Sequence, residues 1–373
     1  MSIGLFFHLG GDIDMLAPFL TRLGEGDVAA EKIIVAAPLL LGNPRLSTLL
    51  GAYGRKPDAI LPQDATEQLL RVALAGCRSL LTASETTLRP HRLAHALANT
   101  ANQLGIITAT LQHGIENVGI TYFDEHQGPE VGFASSHVLT WAGKNSLQEG
   151  VRGATTDKVR DAGLPGPPDD TVFAPWRDRL DLPHGGRKIV GVFENLHWTR
   201  FSDDYRAQFL SDLQYATLMF PDLFFLLKPH PEGRWLTERF SGPRPAAKNL
   251  LVASPTAPVW NMLTAPYLMP ALSAIITTPS KVALDAAIAG VPAAVASYSC
   301  VFPRYKDLPT LAALRDWESF LENIRHSNTA GYESANQKML NSTVSSIGTQ
   351  GAIRLWLNSP HFERPSDALK TAT

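Results

Sequence analysis

Two histidines in this chain directly follow apolar runs of the kind that form buried strands. The run 224–227 ends in Lys-Pro-His-Pro at 228–231, and the run 108–112 ends in His113 and Gly114. In an open α/β sheet, ligands bind beyond the carboxyl ends of the strands, so the sequence predicts that both imidazoles lie at binding sites. Proline restricts φ and holds the first of these histidines in place, whereas glycine lets a ligand approach the backbone beside the second.

The residue types at these two strand ends predict different chemistry. Lys228 and His230 offer a positive charge and a hydrogen-bond donor, which suit the phosphates of a diphosphate leaving group. An imidazole titrates near neutral pH, so His113 is a candidate general base that removes a proton from an acceptor hydroxyl. Glu116 is a weaker candidate for the same task or for orienting His113. Three more residues of that loop share this weaker status: Asp124, Glu125 and His126. A structural role for either histidine is the open alternative.

A third polar segment, 277–280, stands immediately before an apolar helical pattern. The free N–H groups and the dipole at a helix N-terminus bind phosphate, and the hydroxyls of Thr278 and Ser280 add donors there. Ordinary helix capping by the same hydroxyls is the alternative. Asp285 falls within the apolar helix, where a carboxylate needs a partner, and a ribose diol is the candidate.

Two further strand ends carry polar or permissive residues. His8 and the pair Gly10 and Gly11 follow the first apolar run, where the glycines let a substrate approach the backbone. They match half of a dinucleotide fingerprint, but the third glycine is missing, so we predict no nicotinamide or flavin cofactor. The other strand end carries Glu194, Asn195 and His197. A helix cap or a solvated turn is the alternative for this second group.

Composition excludes several classes of protein. The 373 residues carry a net charge of −2 without a basic run, so nucleic acid is not an expected partner. Cys77 and Cys300 are far apart and predict neither a disulfide framework nor a zinc site. Because we find no cluster of metal ligands, we predict metal independence. No apolar run reaches the roughly 18 residues of a spanning helix. We therefore expect a soluble, cytoplasmic protein, with peripheral contact at the inner face of the cell membrane left open.

Short apolar runs alternate with helical patterns along the whole chain, which is typical of parallel sheets covered by helices. The strands expected in the first half are Ile3–Phe7, Lys32–Ala37, Ser79–Thr82, Ile106–Leu111 and His137–Thr140, with helices over 14–23 and 93–104. The strands expected in the second half are Lys188–Phe193, Leu223–Leu227, Leu250–Ala253, Ala274–Ile276 and Val291–Val295, with helices over 205–219, 259–263 and 281–289. A Pro/Gly-rich stretch separates the halves. We predict an N-terminal Rossmann-like domain over 1–165, a connector over 166–187 and a C-terminal Rossmann-like domain over 188–373.

The order of these motifs resembles that of the GT-B superfamily of nucleotide-sugar glycosyltransferases. The resemblance is strongest to the bacterial capsule and cell-wall branch, which includes Kdo and sialic-acid capsule transferases and CDP-glycerol glycerophosphotransferases. In that branch a His-Gly motif precedes a basic residue followed by Pro-His-Pro, as His113 and Gly114 precede 228–231 here. A serine at a helix start, an acidic residue with alanine, and Gly-x-Pro then follow, as at Ser280, 285–286 and 290–292. Asp285 stands where many relatives carry glutamate.

The resemblance implies an α/β protein of two Rossmann-like domains that face each other across a cleft. The N-terminal domain would take the acceptor and the C-terminal domain a nucleotide-activated sugar of CMP, CDP or UDP type. By the resemblance, His230 and Ser280 hold the phosphates, Asp285 contacts the ribose, and His113 or a nearby carboxylate is the general base. The implied reaction is transfer of a sugar to a hydroxyl of a surface polysaccharide or lipid-linked glycan, with no cofactor.

Three other functions remain open. A polyol-phosphate transferase would use a CDP donor on the same fold, but the loop 194–200 lacks the basic strand end expected of one, which favours sugar transfer. A non-hydrolysing nucleotide-sugar 2-epimerase needs several acids in the cleft, for which Glu116, Asp124 and Glu194 are the candidates. The third alternative is a non-catalytic binding subunit of a polysaccharide assembly complex.

Overall fold

The chain folds into two compact α/β units. The computed structural model describes residues 3–23, 32–123, 130–166, 170–230, 233 and 235–348. The first unit takes the chain through Val172 and again from Val344, and the second runs from Phe173 to Thr343. Each unit is built around its own parallel sheet.

The described part of the first unit contains a seven-stranded sheet. Its strands in chain order are β1 (Ile3–Phe7), β2 (Lys32–Ala37), β3 (Ala59–Pro62), β4 (Ser79–Thr82), β5 (Ile107–Leu111), β6 (His137–Thr140) and β7 (Val159–Asp161). They pair in the order β3-β2-β1-β4-β5-β6-β7, and every pair is parallel. All residues of β1 and β4 are buried, as expected for central strands covered on both faces.

Helices connect these strands. In the described residues of the first unit they are α1 (Gly10–Leu23), α2 (Pro44–Ala52), α3 (Glu67–Leu74), α4 (Arg92–Gln103) and the single turn α5 (Gly153–Thr156). The Asn43 side chain caps α2 by accepting from the main-chain N–H groups of Arg45 and Leu46, at 3.0 and 3.2 Å. Pro44 occupies the first turn, where a missing N–H costs nothing.

The second unit repeats this plan with six described strands. They are β8 (Lys188–Glu194), β9 (Leu223–Pro229), β10 (Leu250–Val252), β11 (Ala274–Thr277), β12 (Ala293–Ala296) and β13 (Thr310–Leu311). The order is β10-β9-β8-β11-β12-β13, again parallel throughout. The described helices are α6 (Ala174–Asp178), α7 (Asp203–Met219), α8 (Pro258–Met262), α9 (Ala265–Leu268), α10 (Val282–Ala289), α11 (Leu314–Arg325) and α12 (Ala330–Thr343). Gly290, with φ of 69°, ends α10 as the sequence predicts.

The strand order fixes where ligands can bind in each unit. In both sheets the order of connection reverses once, between β1 and β4 in the first unit and between β8 and β11 in the second. Loops leave such a pair of strands in opposite directions and open a crevice at their carboxyl ends. The polar segments singled out by sequence follow strands at or beside these two points.

The predicted strands are all present, with ends that differ by at most two residues. Three edge strands, β3, β7 and β13, were not expected, because they are only two to four residues long and partly exposed. Helix α1 begins at Gly10, four residues before the predicted start, so the two glycines belong to the first helical turn and not to a loop.

The second unit differs from the predicted domain in both of its limits. It begins at Phe173, inside the segment expected to be a connector, and it ends at Thr343 instead of continuing to residue 373. From Val344 the chain returns to the first unit. There the Ser345 N–H donates to the Trp141 carbonyl and the Leu164 N–H to the Ser346 carbonyl, each at 2.8 Å. The sequence does not indicate this return of the chain, because a short segment carries no composition signal.

Across the part of the chain that the structure describes, no helix combines the length and the apolar character needed to cross a bilayer.

Candidate functional site

Polar side chains of the first unit meet beyond β1, β4 and β5. We call His8, Asp12, Ser84, His91 and His113 the first strand-end cluster. His8 follows β1, Ser84 follows β4, and His113 follows β5, while Asp12 lies in the first turn of α1. His8 and Asp12 are fully buried and Ser84 is nearly so. The cluster therefore surrounds the point where the strand order reverses.

Asp12 connects the elements of this cluster through hydrogen bonds. One carboxylate oxygen accepts from the main-chain N–H groups of His8 and Leu9, each at 2.9 Å, and the other accepts from the Ser84 hydroxyl at 2.5 Å. The carboxylate thus satisfies N–H groups ahead of α1 that have no helical partner, and it joins the end of β1 to the end of β4.

His113 and its loop are held by side-chain amides. The Asn117 side chain accepts from the main-chain N–H of His113 at 3.0 Å. Gln112 accepts from the Trp141 N–H at 3.0 Å and donates to the Gly114 carbonyl at 2.9 Å. Glu116 is half-buried in the same loop. The predicted loop residues Asp124, Glu125 and His126 lie outside the described residues.

Burial favours the neutral form of the imidazoles in this cluster. Burial lowers the pKa of His113, although the Asp12 carboxylate and the Ala83 main chain oppose the shift. Burial, followed by His113 and His8, lowers the pKa of His91 to about 3. The rings of His91 and His113 meet edge to face, with centroids 5.8 Å apart. A neutral imidazole can accept a proton, so the arrangement suits base chemistry.

Glu85, next to Ser84, is a buried acid with a structural task. One of its oxygens contacts His95 Nδ1 at 2.6 Å and accepts from the Ala134 N–H at 2.8 Å, and the other accepts from the Ser135 N–H at 3.0 Å. These contacts join the end of β4 to the segment that precedes β6.

Polar side chains of the second unit meet beyond β8, β9 and β11. We call Glu194, Asn195, His197, His230, Thr278 and Ser280 the second strand-end cluster. Asn195 and Thr278 form its centre. The Thr278 hydroxyl donates to the Asn195 side-chain oxygen and accepts from the Asn195 N–H at 3.0 Å, while the Asn195 amide donates to the Pro279 carbonyl at 2.9 Å. Thr278 is fully buried, so its hydroxyl fastens β8 to β11.

His230 is a neutral hydrogen-bond donor in this cluster. Its Nδ1 accepts from the Gly233 N–H at 3.3 Å, which places the ring proton on Nε2. Burial, with the neighbouring His197 and Lys228, lowers the pKa of His230 to about 3. The rings of His197 and His230 lie 4.8 Å apart. Pro231, part of the predicted motif, lies outside the described residues.

Glu194 is the buried acid of the second cluster. One carboxyl oxygen accepts from the Leu196 N–H at 2.6 Å, and the other has no partner among the described residues. Burial raises the pKa of Glu194 to about 7. The carboxyl group therefore carries its proton in a substantial fraction of molecules at neutral pH.

Lys228 is buried, and its side chain stabilises the second unit by contacts with Trp260. Its ammonium group donates to the Trp260 carbonyl at 2.8 Å and lies 5.9 Å from the centre of the Trp260 ring. A contact between Lys228 and a phosphate would therefore involve an ammonium group that is already hydrogen-bonded to a main-chain carbonyl.

The start of α10 carries the remaining predicted donor-site residues. The Ser280 hydroxyl accepts from the N–H of Val282, the first residue of α10, at 3.2 Å. A phosphate contact by Ser280 stays a prediction. Asp285 pairs with Lys281, the residue just before α10, and this ion pair supplies one partner for the half-buried carboxylate. A ribose contact by Asp285 stays a prediction.

The structure thus groups His8 with His113, and Glu194 and Asn195 with His230, Thr278 and Ser280. Sequence reasoning missed Asp12, Ser84 and His91. A signal for His91 was present, since Arg89, Pro90 and His91 follow β4 with the same basic-Pro-His order as 228–230 after a strand. Within the described residues no group of three or more His, Cys, Asp or Glu side chains is arranged to hold a metal ion.

These two parallel-sheet units, each with one reversal of strand order and a polar cluster beyond it, give the chain the GT-B type of α/β fold.

No protein-family model and no curated protein matches the sequence. Solved structures do match the fold. The UDP-GlcNAc 2-epimerase from Neisseria meningitidis bound to UDP-GlcNAc superposes with a TM-score of 0.63 at 14% identity, covering 95% of this chain and 98% of that one. A putative UDP-N-acetylglucosamine 2-epimerase from Listeria monocytogenes gives 0.64 at 12% identity, covering 98% of both chains. The wall teichoic acid polymerase TagF gives 0.59 at 12% identity, covering 95% of this chain and 87% of that one. At such identities the likeness establishes the fold.

Proposed function

We propose that this protein is a glycosyltransferase that moves a sugar from a nucleotide-activated donor to a hydroxyl group. The observation that carries the proposal is the position of the His113 imidazole after β5, edge to face with His91 at 5.8 Å and in the same strand-end cluster as the buried Asp12 carboxylate. Burial also lowers the pKa of His113. A neutral imidazole accepts the hydroxyl proton, and the carboxylate stabilises the imidazolium that results.

The proposed reaction assigns one task to each cluster. The acceptor oxygen forms a bond to the anomeric carbon while its proton passes to His113. The bond between the anomeric carbon and the donor phosphate breaks, and the nucleotide leaves with the bonding electrons. In the second unit the Nε2–H of His230 donates to that phosphate, and the N-terminus of α10 beside Ser280 favours its charge. No cofactor is part of this proposal.

The proposal includes the classes of donor and acceptor that the sequence resemblance implies. The donor is a CMP-, CDP- or UDP-activated sugar, and the acceptor is a glycan or a lipid-linked glycan of the cell envelope. We expect the protein to work in the cytoplasm, where peripheral contact with the membrane would bring it to a lipid-linked acceptor.

A nucleotide-sugar 2-epimerase is the second candidate, because several matching structures are UDP-GlcNAc 2-epimerases. That reaction requires acid groups able to move protons on the sugar. In the first unit the buried acids Asp12 and Glu85 have both oxygens occupied by hydrogen bonds. This favours transfer, in which a histidine does the proton chemistry, whereas Glu194 of the second unit, with one carboxyl oxygen that has no partner among the described residues, supports epimerisation. The TagF match keeps polyol-phosphate transfer from a CDP donor as a third candidate.

Nucleotide binding to the full chain is the first test. Calorimetry with CMP, CDP, UDP, GDP and dTDP is expected to select one nucleotide, and His230→Ala is expected to weaken its binding about 10-fold through the lost hydrogen bond. His326→Ala is the matched control, because His326 is an exposed histidine of the same unit that pairs with Glu322. Binding that is equal in the His230 and His326 variants would contradict the phosphate role.

Product analysis then separates the candidates. The matching nucleotide sugars are incubated with and without glycan acceptors and followed by mass spectrometry and NMR. Acceptor-dependent release of nucleotide with gain of a sugar supports transfer, whereas an isomerised nucleotide sugar without acceptor supports epimerisation. Gain of a polyol phosphate indicates the third candidate, and tight binding without any turnover indicates a binding subunit.

A further inference from the structure

A second imidazole of the first unit, His91, has a geometry that complements His113. His91 ends a short 3₁₀ turn, Arg89–His91, in the loop between β4 and α4. Its ring meets that of His113 at an angle of 85°, with centroids 5.8 Å apart. Both rings are therefore at the same strand-end cluster, one after β4 and one after β5.

Thr86 determines which nitrogen of His91 carries the proton. The Thr86 hydroxyl oxygen accepts from the Leu88 N–H at 3.1 Å and lies 2.8 Å from His91 Nδ1. Thr86 is 1% exposed, and among the described residues its hydroxyl has no acceptor other than this nitrogen. A buried hydroxyl proton without an acceptor is costly, so it is donated to Nδ1. The proton of the neutral ring is then on Nε2, and His91 is a hydrogen-bond donor.

His113 has the opposite polarity. Burial lowers the pKa of His113, and the neutral imidazole that this favours has one acceptor nitrogen in either tautomer. A hydroxyl group donates one hydrogen bond and accepts others. A donor imidazole beside an acceptor imidazole is therefore complementary to one hydroxyl.

We propose that His91 and His113 bind the acceptor hydroxyl together, with His91 Nε2–H donating to its oxygen and His113 accepting its proton. This inference rests on the proposed function, and it assigns His91 as a substrate-binding residue of the acceptor site. By holding the oxygen lone pair that does not react, His91 orients the hydroxyl group while His113 takes its proton.

The first test is independent of catalysis. In the full chain labelled with ¹⁵N-histidine, long-range NMR spectra report the tautomer of each ring, and His91→Gln identifies the His91 signals. We expect the Nε2–H tautomer for His91 at pH 7. Thr86→Val, which removes the hydroxyl and keeps the shape, is expected to change this tautomer population. An Nδ1–H tautomer or a charged ring in the wild type would overturn the inference.

The second test uses the donor and acceptor found by product analysis. His91→Ala is expected to lower kcat/KM for the acceptor about 10-fold, the value of one hydrogen bond, and to leave nucleotide affinity unchanged. His91→Gln restores an N–H donor and is expected to recover part of the loss. Unchanged acceptor kinetics in His91→Ala would overturn the inference. Absence of nucleotide binding in the wild type would instead refute the proposed function, and the tautomer measurement would still decide the state of His91.

Discussion

Asp12 shows how one buried residue determines the geometry of a candidate site. Its carboxylate accepts three hydrogen bonds, from the N–H groups of His8 and Leu9 and from Ser84. No sequence pattern predicted this, since an acid in the first turn of a helix is ordinarily a solvated residue that favours the dipole. The contact with Ser84 joins residues 72 positions apart and depends on the sheet order.

Asp12→Ala is therefore expected to destabilise the first unit strongly. It leaves three donors without their acceptor in a buried place, a loss of roughly 3 kcal/mol or more in the free energy of unfolding. Urea unfolding followed by circular dichroism measures it. Glu67→Ala, which breaks an exposed ion pair with Arg71 on α3, is the control and is expected to cost less than about 0.5 kcal/mol. Equal losses in the free energy of unfolding for the two substitutions would show that the hydrogen bonds of Asp12 do not stabilise the first unit.

Glu194 predicts a pH dependence whose sign follows from burial. Its pKa is raised from 4.5 to about 7 in the folded protein. Between these values the folded state keeps a proton that the unfolded state loses, so the stabilisation present below pH 4.5 disappears as the pH rises through about 7. A shift of this size corresponds to roughly 3 kcal/mol.

Glu194→Gln removes this titration and nearly keeps the shape of the side chain. The free energy of unfolding of the variant, relative to wild type, is expected to increase by roughly 3 kcal/mol between pH 4.5 and pH 8. Urea unfolding followed by tryptophan fluorescence is suitable, because five tryptophans of the second unit report on it: Trp176, Trp198, Trp235, Trp260 and Trp317. The other titratable groups are the same in both proteins, so their contributions to the pH dependence cancel in the difference between the two free energies of unfolding. A difference that does not vary with pH would contradict the assignment.

At the scale of elements, close packing around the central strand β8 leaves no space at Gly191. A Cβ there would lie 2.7 Å from Leu272 Cδ1 and 2.8 Å from Phe193 Cε2. Gly191→Ala is expected to cost about 1–3 kcal/mol through overpacking. Gly331→Ala in α12 is the matched control in the same unit, since a Cβ at Gly331 meets nothing within 4 Å. It is expected to change stability by less than about 0.5 kcal/mol. Chemical denaturation of both variants checks the contrast.

The same elements show what sequence can and cannot predict here. Buried strands such as β1 and β9 were predicted because nearly every residue in them is apolar, and Gly290 was predicted to end α10 because a glycine follows the last apolar residue. The edge strands β3, β7 and β13 were missed because edge positions mix exposed and buried residues. His91 was missed because its loop has no apolar run of its own. Its position depends on the Thr86 contact and on β4 lying beside β5.

At the scale of the whole molecule, the return of the chain to the first unit depends on Gly163. This residue has φ of 70°, and a Cβ on it would lie 2.2 Å from Ser346 Oγ and 2.7 Å from the Ser346 carbonyl oxygen. Only glycine therefore lets the returning segment reach Leu164, where the N–H groups of Leu164 and Gly348 form 2.8 Å hydrogen bonds.

Gly163→Ala is expected to release this segment and to destabilise the first unit while the second keeps its stability, because each unit has its own sheet and core. Gly185→Ala is the matched control. Gly185 also has a positive φ, of 58°, but a Cβ there meets nothing within 4 Å, so it carries only the conformational cost of about 1 kcal/mol. Hydrogen exchange measured by mass spectrometry on both variants separates the units. We expect faster exchange at the amides of Leu164, Ser345 and Gly348 in Gly163→Ala and unchanged protection in β8 and β9. Equal loss of protection in both units would mean that they unfold as one cooperative body, and protection unchanged from the Gly185 variant would mean that the return of the chain contributes no stability.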